Sequence, residues 1–96
     1  MDQVELILEK MKSILIEMGF KKIVITNPYR SEINYVRNDV FCIPRYVEGL
    51  GFLIEYADSY EQAQNHGHED GDAFPISMGE DNILLSLTNE IHQMIT

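Results

Sequence analysis

The sequence predicts one small α+β domain, with two amphipathic helices packed on one face of a four-stranded antiparallel meander. Three observations carry this expectation. Apolar residues recur at three- and four-residue steps near both ends of the chain, the period of a helix with a single buried stripe. Between them, residues 23–57 read as four short β-prone runs divided by turn residues. The connections between those runs are too short for crossovers, so neighbouring strands run antiparallel. A chain of 96 residues is one domain.

The first helix is expected over 2–18. Val4, Ile7, Leu8, Met11, Ile14, Leu15 and Met18 form its stripe, Asp2 and Glu5 can build a capping box, and Gly19 then Phe20 can close the C-terminus. Leu6 and Ile16 lie off the stripe, as surface apolars or a second contact face. The first strand is 22–26, stopped by Asn27-Pro28. The second is 32–37, and Asn38-Asp39 suits a tight hairpin because both residues tolerate positive φ. The third is 40–45, apolar on both faces like a central strand, with Pro44 at its end or in a bulge. Residues 48–51 turn the chain into the fourth strand, 52–56, with Phe52, Ile54 and Tyr56 on one face. Asp58 and Glu61 then cap a short helix over 59–65, with Tyr60 and Ala63 inward. A loop over 66–75 leads to the last helix, 78–94, capped by Ser77 and Glu80. Its stripe is Ile83, Leu84, Leu87, Ile91, Met94 and Ile95.

Charge is the most informative part of the composition. Net charge is −9, and it is lopsided: all seven Lys and Arg lie at or before Arg45, while the chain from Glu48 onward holds ten acids and no Lys or Arg. Such a chain is expected to avoid nucleic acid and to favour a basic protein partner. No apolar run reaches the ~20 residues of a membrane span, and acids and lysines interrupt the first apolar residues where a signal peptide would be continuous. One cysteine, Cys42, excludes an internal disulfide and suits a reducing cytosol, so the expected location is cytoplasmic.

The sequence carries no recognisable catalytic pattern. Cys42 and the serines have no histidine partner or nucleophile elbow, and Gly49-Leu50-Gly51 lacks the downstream residues of a phosphate loop. Tyr29, Arg30, Tyr35, Arg37, Arg45 and Tyr46 interleave as on a nucleic-acid platform, but net −9 favours cross-strand packing instead. The one ligand-rich run is His66-Gly67-His68-Glu69-Asp70-Gly71-Asp72. Extended, it would put His66, His68, Asp70 and Asp72 on one side, a donor set for zinc or a similar ion. It resembles the His-x-His-x-Asp-His motif of metallo-β-lactamase-type hydrolases, but Gly71 replaces the last histidine and those enzymes need a far longer chain. The expectation is therefore no bound metal and no cofactor, with this loop as the alternative.

Residues 55–63 (EYADSYEQA), residues 69–75 (EDGDAFP) and the helix after them are similar to small uncharacterised proteins of Gram-positive bacteria, some of which resemble immunity partners of polymorphic toxins. That resemblance implies a stoichiometric binder of a basic toxin domain and no catalytic motif. The expected function is thus non-enzymatic occlusion of a basic partner. Asp58, Glu61, Glu69, Asp70 and Asp72 would steer the encounter, and Tyr60 and Phe74 would anchor the complex. The alternatives are a small metal-dependent enzyme or sensor built on the His/Asp loop, and a homodimer burying Leu6 and Ile16; the chain is otherwise expected to be a monomer.

Overall fold

A computed structural model describes residues 2–96 as an α+β domain. α1 (Gln3–Glu17) is followed by β1 (Lys21–Thr26), β2 (Ser31–Arg37), β3 (Val40–Val47) and β4 (Gly51–Ala57), then α2 (Tyr60–Gln64), β5 (Glu69–Asp70), a 3-10 turn (Ile76–Met78) and α3 (Glu80–Ile95). The sheet is antiparallel in the order β1-β2-β3-β4-β5, so a fifth strand joins the expected four.

Local chemistry sets α1 at both ends. The Asp2 carboxylate accepts from the Glu5 N–H at 2.8 Å. At the other end Gly19 takes φ +92, Gly19 N–H donates to Ile16 C=O and Phe20 N–H donates to Leu15 C=O, a Schellman closure. Arg37 adds a bond from its guanidinium to the Met18 carbonyl at 2.8 Å, which ties the β2–β3 hairpin to the negative end of the helix. Asn38 and Asp39 both have positive φ, as the two-residue turn requires.

The main core lies between the two long helices and one sheet face. Ile7, Met11 and Leu15 of α1 and Ile83, Leu87 and Ile91 of α3 meet Phe52, Ile54, Tyr56, Cys42 and Tyr35, all buried. Leu84, expected among the buried residues, is half-buried because Ile83 takes the inward phase. The opposite face carries a smaller cluster, Ile25, Phe41, Ala57 and Ala63, beneath α2. The sheet is therefore covered on both sides, though unequally. Tyr60, expected inward, is about half exposed (52%) and sets its ring edge-on to Phe41. It opens α2 next to the cap, where the helix has not yet turned that position toward the sheet.

Three boundaries differ for identifiable reasons. The cap of α2 slips by one residue: the Ser59 hydroxyl accepts from Gln62 N–H and the Gln62 side-chain carbonyl accepts from Asp58 N–H, so Ser59 and Gln62 replace the expected Asp58 and Glu61. α3 begins at Glu80 after the 3-10 turn and Gly79 at φ +87, without a side-chain cap, so the expected Ser77–Glu80 box does not form. Pro44 sits inside β3 rather than at its end. The β4 ladder runs past it, with Pro44 opposite Ile54, while the β2 ladder stops at Tyr35–Cys42. The missing N–H thus falls on the β2 side, and β2 and β3 separate from there on. No helix among the described residues is long and apolar enough to cross a membrane.

Leu87 tests the packing directly. Leu87→Ala should lower unfolding free energy by about 2–5 kcal/mol in urea titrations, the cost of a core cavity. Leu85→Ala, at an exposed site of the same helix, should stay within about 0.5 kcal/mol of wild type. Equal effects would contradict the helix phase.

Candidate functional site: an acidic cleft between β5 and α3

The cleft is assembled by the segment that leaves α2. Asn65 ends the helix and His66 takes the left-handed conformation (φ +56), which turns the chain back over the second sheet face. There both histidines are held. Nε2 of His66 accepts from the Asn27 side-chain amide and from Arg30 Nε, so its proton is on Nδ1, 3.2 Å from the Glu32 carboxylate but off the line of a good hydrogen bond. His68 Nε2–H donates to Asn34 Oδ1 at 2.8 Å. Asn34 is wholly buried, and its Nδ2 has no partner. Arg45 pairs with Glu55 and reaches Glu32 at 3.9 Å, bridging β2 and β3 where their ladder has ended. Burial pushes the His68 imidazole below its ordinary value. The charges of Glu32 and Glu55 oppose that shift, and His66 and Arg45 add to it.

After His68 the chain pairs with β4. Glu69 lies opposite Tyr56 and Asp70 opposite Glu55, and Gly71 N–H donates to Ile54 C=O. Phe74 then exchanges two backbone bonds with Phe52, both 2.8 Å. Three steps from Gly71 to Phe74 face two from Ile54 to Phe52, so the edge bulges around Asp72. Gly71 is needed there for space: a Cβ would lie 2.6 Å from a Glu90 oxygen, 2.8 Å from the Tyr56 ring and 2.9 Å from the Ile54 carbonyl.

Glu90 of α3 fixes this edge to the helix layer. One carboxylate oxygen accepts the Tyr56 hydroxyl at 2.5 Å, and the other accepts the Asp72 N–H at 2.9 Å. The Tyr56 phenol is pushed well above its ordinary value by burial first and by its bond to Glu90 second. The same carboxylate adds to the effect of burial on Cys42, whose thiol is pushed up to about 12 and is inert. Between the β5 edge and α3 a cleft of about 310 Å³ opens, lined by Tyr56, Asp58, Glu69, Asp70, Gly71, Asp72, Glu90 and Met94. Five of the eight carry carboxylates and none is basic. Such a cleft can take a primary ammonium or a guanidinium, with Tyr56 and Met94 as a wall for the methylene stem.

Of the residues singled out in the sequence, Asp58, Glu69, Asp70 and Asp72 come together here. Tyr60 and Glu61 do not line the cleft; both are exposed on α2. Phe74 is half-buried and packs against the main core rather than standing free as an anchor. The alternative metal set is not assembled. His66 and His68 bond into the network on the second sheet face, whereas Asp70 and Asp72 line the cleft. No group of three or more His, Cys, Asp or Glu side chains is placed to hold a metal ion among the described residues. The simple alternation fails because His66 is left-handed and Gly71 begins the bulge. Glu90 was missed, although it is the only Asp, Glu, Lys or Arg after Asp81 and so stands out beyond the first turn of its helix.

No family model matches the chain, and no curated protein or solved structure matches it.

His68 gives the site a pH signature. Its folded-state value lies below the ordinary 6.5, so as pH falls the unfolded chain takes up a proton that the folded chain refuses. This contribution to stability is complete above about pH 6.5 and is lost progressively as pH drops from there toward the folded value. His68→Gln keeps a donor for Asn34 and does not titrate. Urea unfolding between about pH 7.5 and pH 5 should show a steeper loss for wild type than for His68→Gln; parallel curves would contradict the buried neutral imidazole.

Proposed function

We propose that this chain is a non-enzymatic binding protein that occludes a basic protein partner, in the manner of an immunity protein neutralising a toxin domain. The carrying observation is the cleft in which Asp58, Glu69, Asp70, Asp72 and Glu90 converge with no lysine or arginine among its lining residues. A partner's lysine or arginine enters with its charge toward the carboxylates and its stem against Met94 and Tyr56. The wider field of a chain with net charge −9 draws such a partner in before contact and raises the encounter rate. Two of the carboxylates are set by structure rather than left to loop motion, because the Asp72 backbone is bonded to Glu90 and Asp70 is paired in β5. A preformed site loses less entropy on binding than a loop that must first be ordered. A cytosolic setting suits the single free thiol.

The test uses a basic domain encoded beside this chain's own gene, with stopped-flow association measured across salt concentrations. Neutralising Glu69, Asp70 and Asp72 together, as Glu69→Gln/Asp70→Asn/Asp72→Asn, should slow association about tenfold at low salt and flatten its salt dependence. Dissociation should change less, and folding stability should stay within about 0.5 kcal/mol. An unchanged on-rate at low salt would remove the cleft from the account.

A further inference from the structure

On the opposite edge of the sheet the helix layer leaves Val24 of β1 uncovered. Val24 of β1 and Ile33 of β2 lie directly across from one another in the ladder, on the side of the sheet that carries α1. They are 63% and 46% exposed, and Ile16 on the outer flank of α1 is 49% exposed. Ile16, Ile33, Tyr35 and Pro44 line a groove of about 640 Å³, opened where β2 and β3 separate. Isolated surface apolars need no explanation, but here Ile16 and Ile33 line one groove and Val24 lies across the ladder from Ile33, so three large apolar side chains are exposed on one face.

Charge selects the occupant. Most of this surface's surroundings repel a second copy, since each chain carries −9. This face is the exception: Glu9, Glu17, Lys12 and Lys22 line the groove, two acids and two bases. Lys12 pairs with Glu9 at 3.1 Å, while Glu17 and Lys22 have no ion-pair partner among the described residues. A twofold contact sets a surface against itself, so it requires this kind of self-complementary, neutral patch. The base-free half of the chain could not make such a contact without stacking carboxylates on carboxylates.

We propose that two copies of this chain associate through the α1–β1–β2 face. Ile16 of one copy seats in the groove of the other over Ile33 and Pro44, Val24 is covered, and Glu17 of one copy pairs with Lys22 of the other. The contact leaves the acidic cleft open, because the cleft lies at the far edge of the sheet, and it stands independently of the binding function proposed above.

Sedimentation equilibrium over roughly 1–200 µM tests it, since mass action drives association across that range. Wild type should show about twice the mass of one chain at the upper end. Val24→Lys and Ile33→Lys, at positions already exposed, should retain the wild-type far-ultraviolet spectrum and sediment as monomers. Glu17→Lys and Lys22→Glu should each weaken association about tenfold, because each reversal acts twice in a twofold contact, and the double reversal should restore most of the loss. The variant neutralised at Glu69, Asp70 and Asp72 should dimerise as wild type does. A wild-type chain that stays monomeric throughout overturns the proposal and leaves the groove to a partner of another sequence. A dimer insensitive to Val24→Lys and Ile33→Lys, or one abolished by the acidic triple change, places the interface elsewhere and also overturns it.

Discussion

β2 and β3 pair for only three residues, and much of the molecule's surface follows from that limit. Beyond Tyr35–Cys42 the next positions on β3 are Ile43 and Pro44, and a proline cannot donate to the departing strand. On the helix side the gap becomes the groove bordered by Ile33, Tyr35 and Pro44. On the other side it would leave polar backbone and the buried Asn34 amide without company. Side chains fill part of it: Arg45 reaches from β3 to Glu32 on β2, and His68 donates to Asn34 Oδ1, while Asn34 Nδ2 keeps no partner. Those bonds also hold the chain after α2 against the sheet, which places Glu69 and Asp70 alongside β4.

The acidic edge is therefore anchored twice. The second sheet face holds it through His66 and His68, and the helix layer holds it through Glu90, which joins Tyr56 and Asp72. This arrangement is costly in one respect, since several carboxylates stand close together at the edge of a chain already at −9. Repulsion of that kind is relieved when a cation enters. The two anchors explain why the edge keeps its shape without one: backbone bonds to Ile54 and Phe52 flank the bulge, and Glu90 accepts the Asp72 N–H between them.

Elements stabilised by their own pattern were legible from the sequence. The stripes of α1 and α3, the Gly19–Phe20 closure and the Asn38-Asp39 turn all depend on residues within a few positions of one another. β5 was not legible, because Glu69-Asp70 has little strand preference and is held only by Tyr56 and Glu55 across the ladder. Ser77 and Glu80 looked like a cap, but Gly79 at φ +87 delays the helix by starting it without one. Acid density after Arg45 pointed to Asp58, Glu69, Asp70 and Asp72. It could not separate them from Glu61, which a helix carries elsewhere, nor show that Phe74 would be drawn into the core by Phe52. The role of Glu90 depends on where α3 crosses β4, a tertiary fact that spacing along the chain does not encode.

Glu90 holds the acidic edge in its cleft-forming shape. Amide hydrogen exchange at Asp72 measures this most directly, with Phe74 as an internal reference on the same segment. In wild type both amides should be protected, Asp72 by Glu90 and Phe74 by the Phe52 carbonyl. In Glu90→Ala the Asp72 amide should exchange near the rate of an open chain while Phe74 stays protected. Rapid exchange at Asp72 in wild type, or protection that survives Glu90→Ala, would show that the edge is not held by Glu90 and would contradict the account.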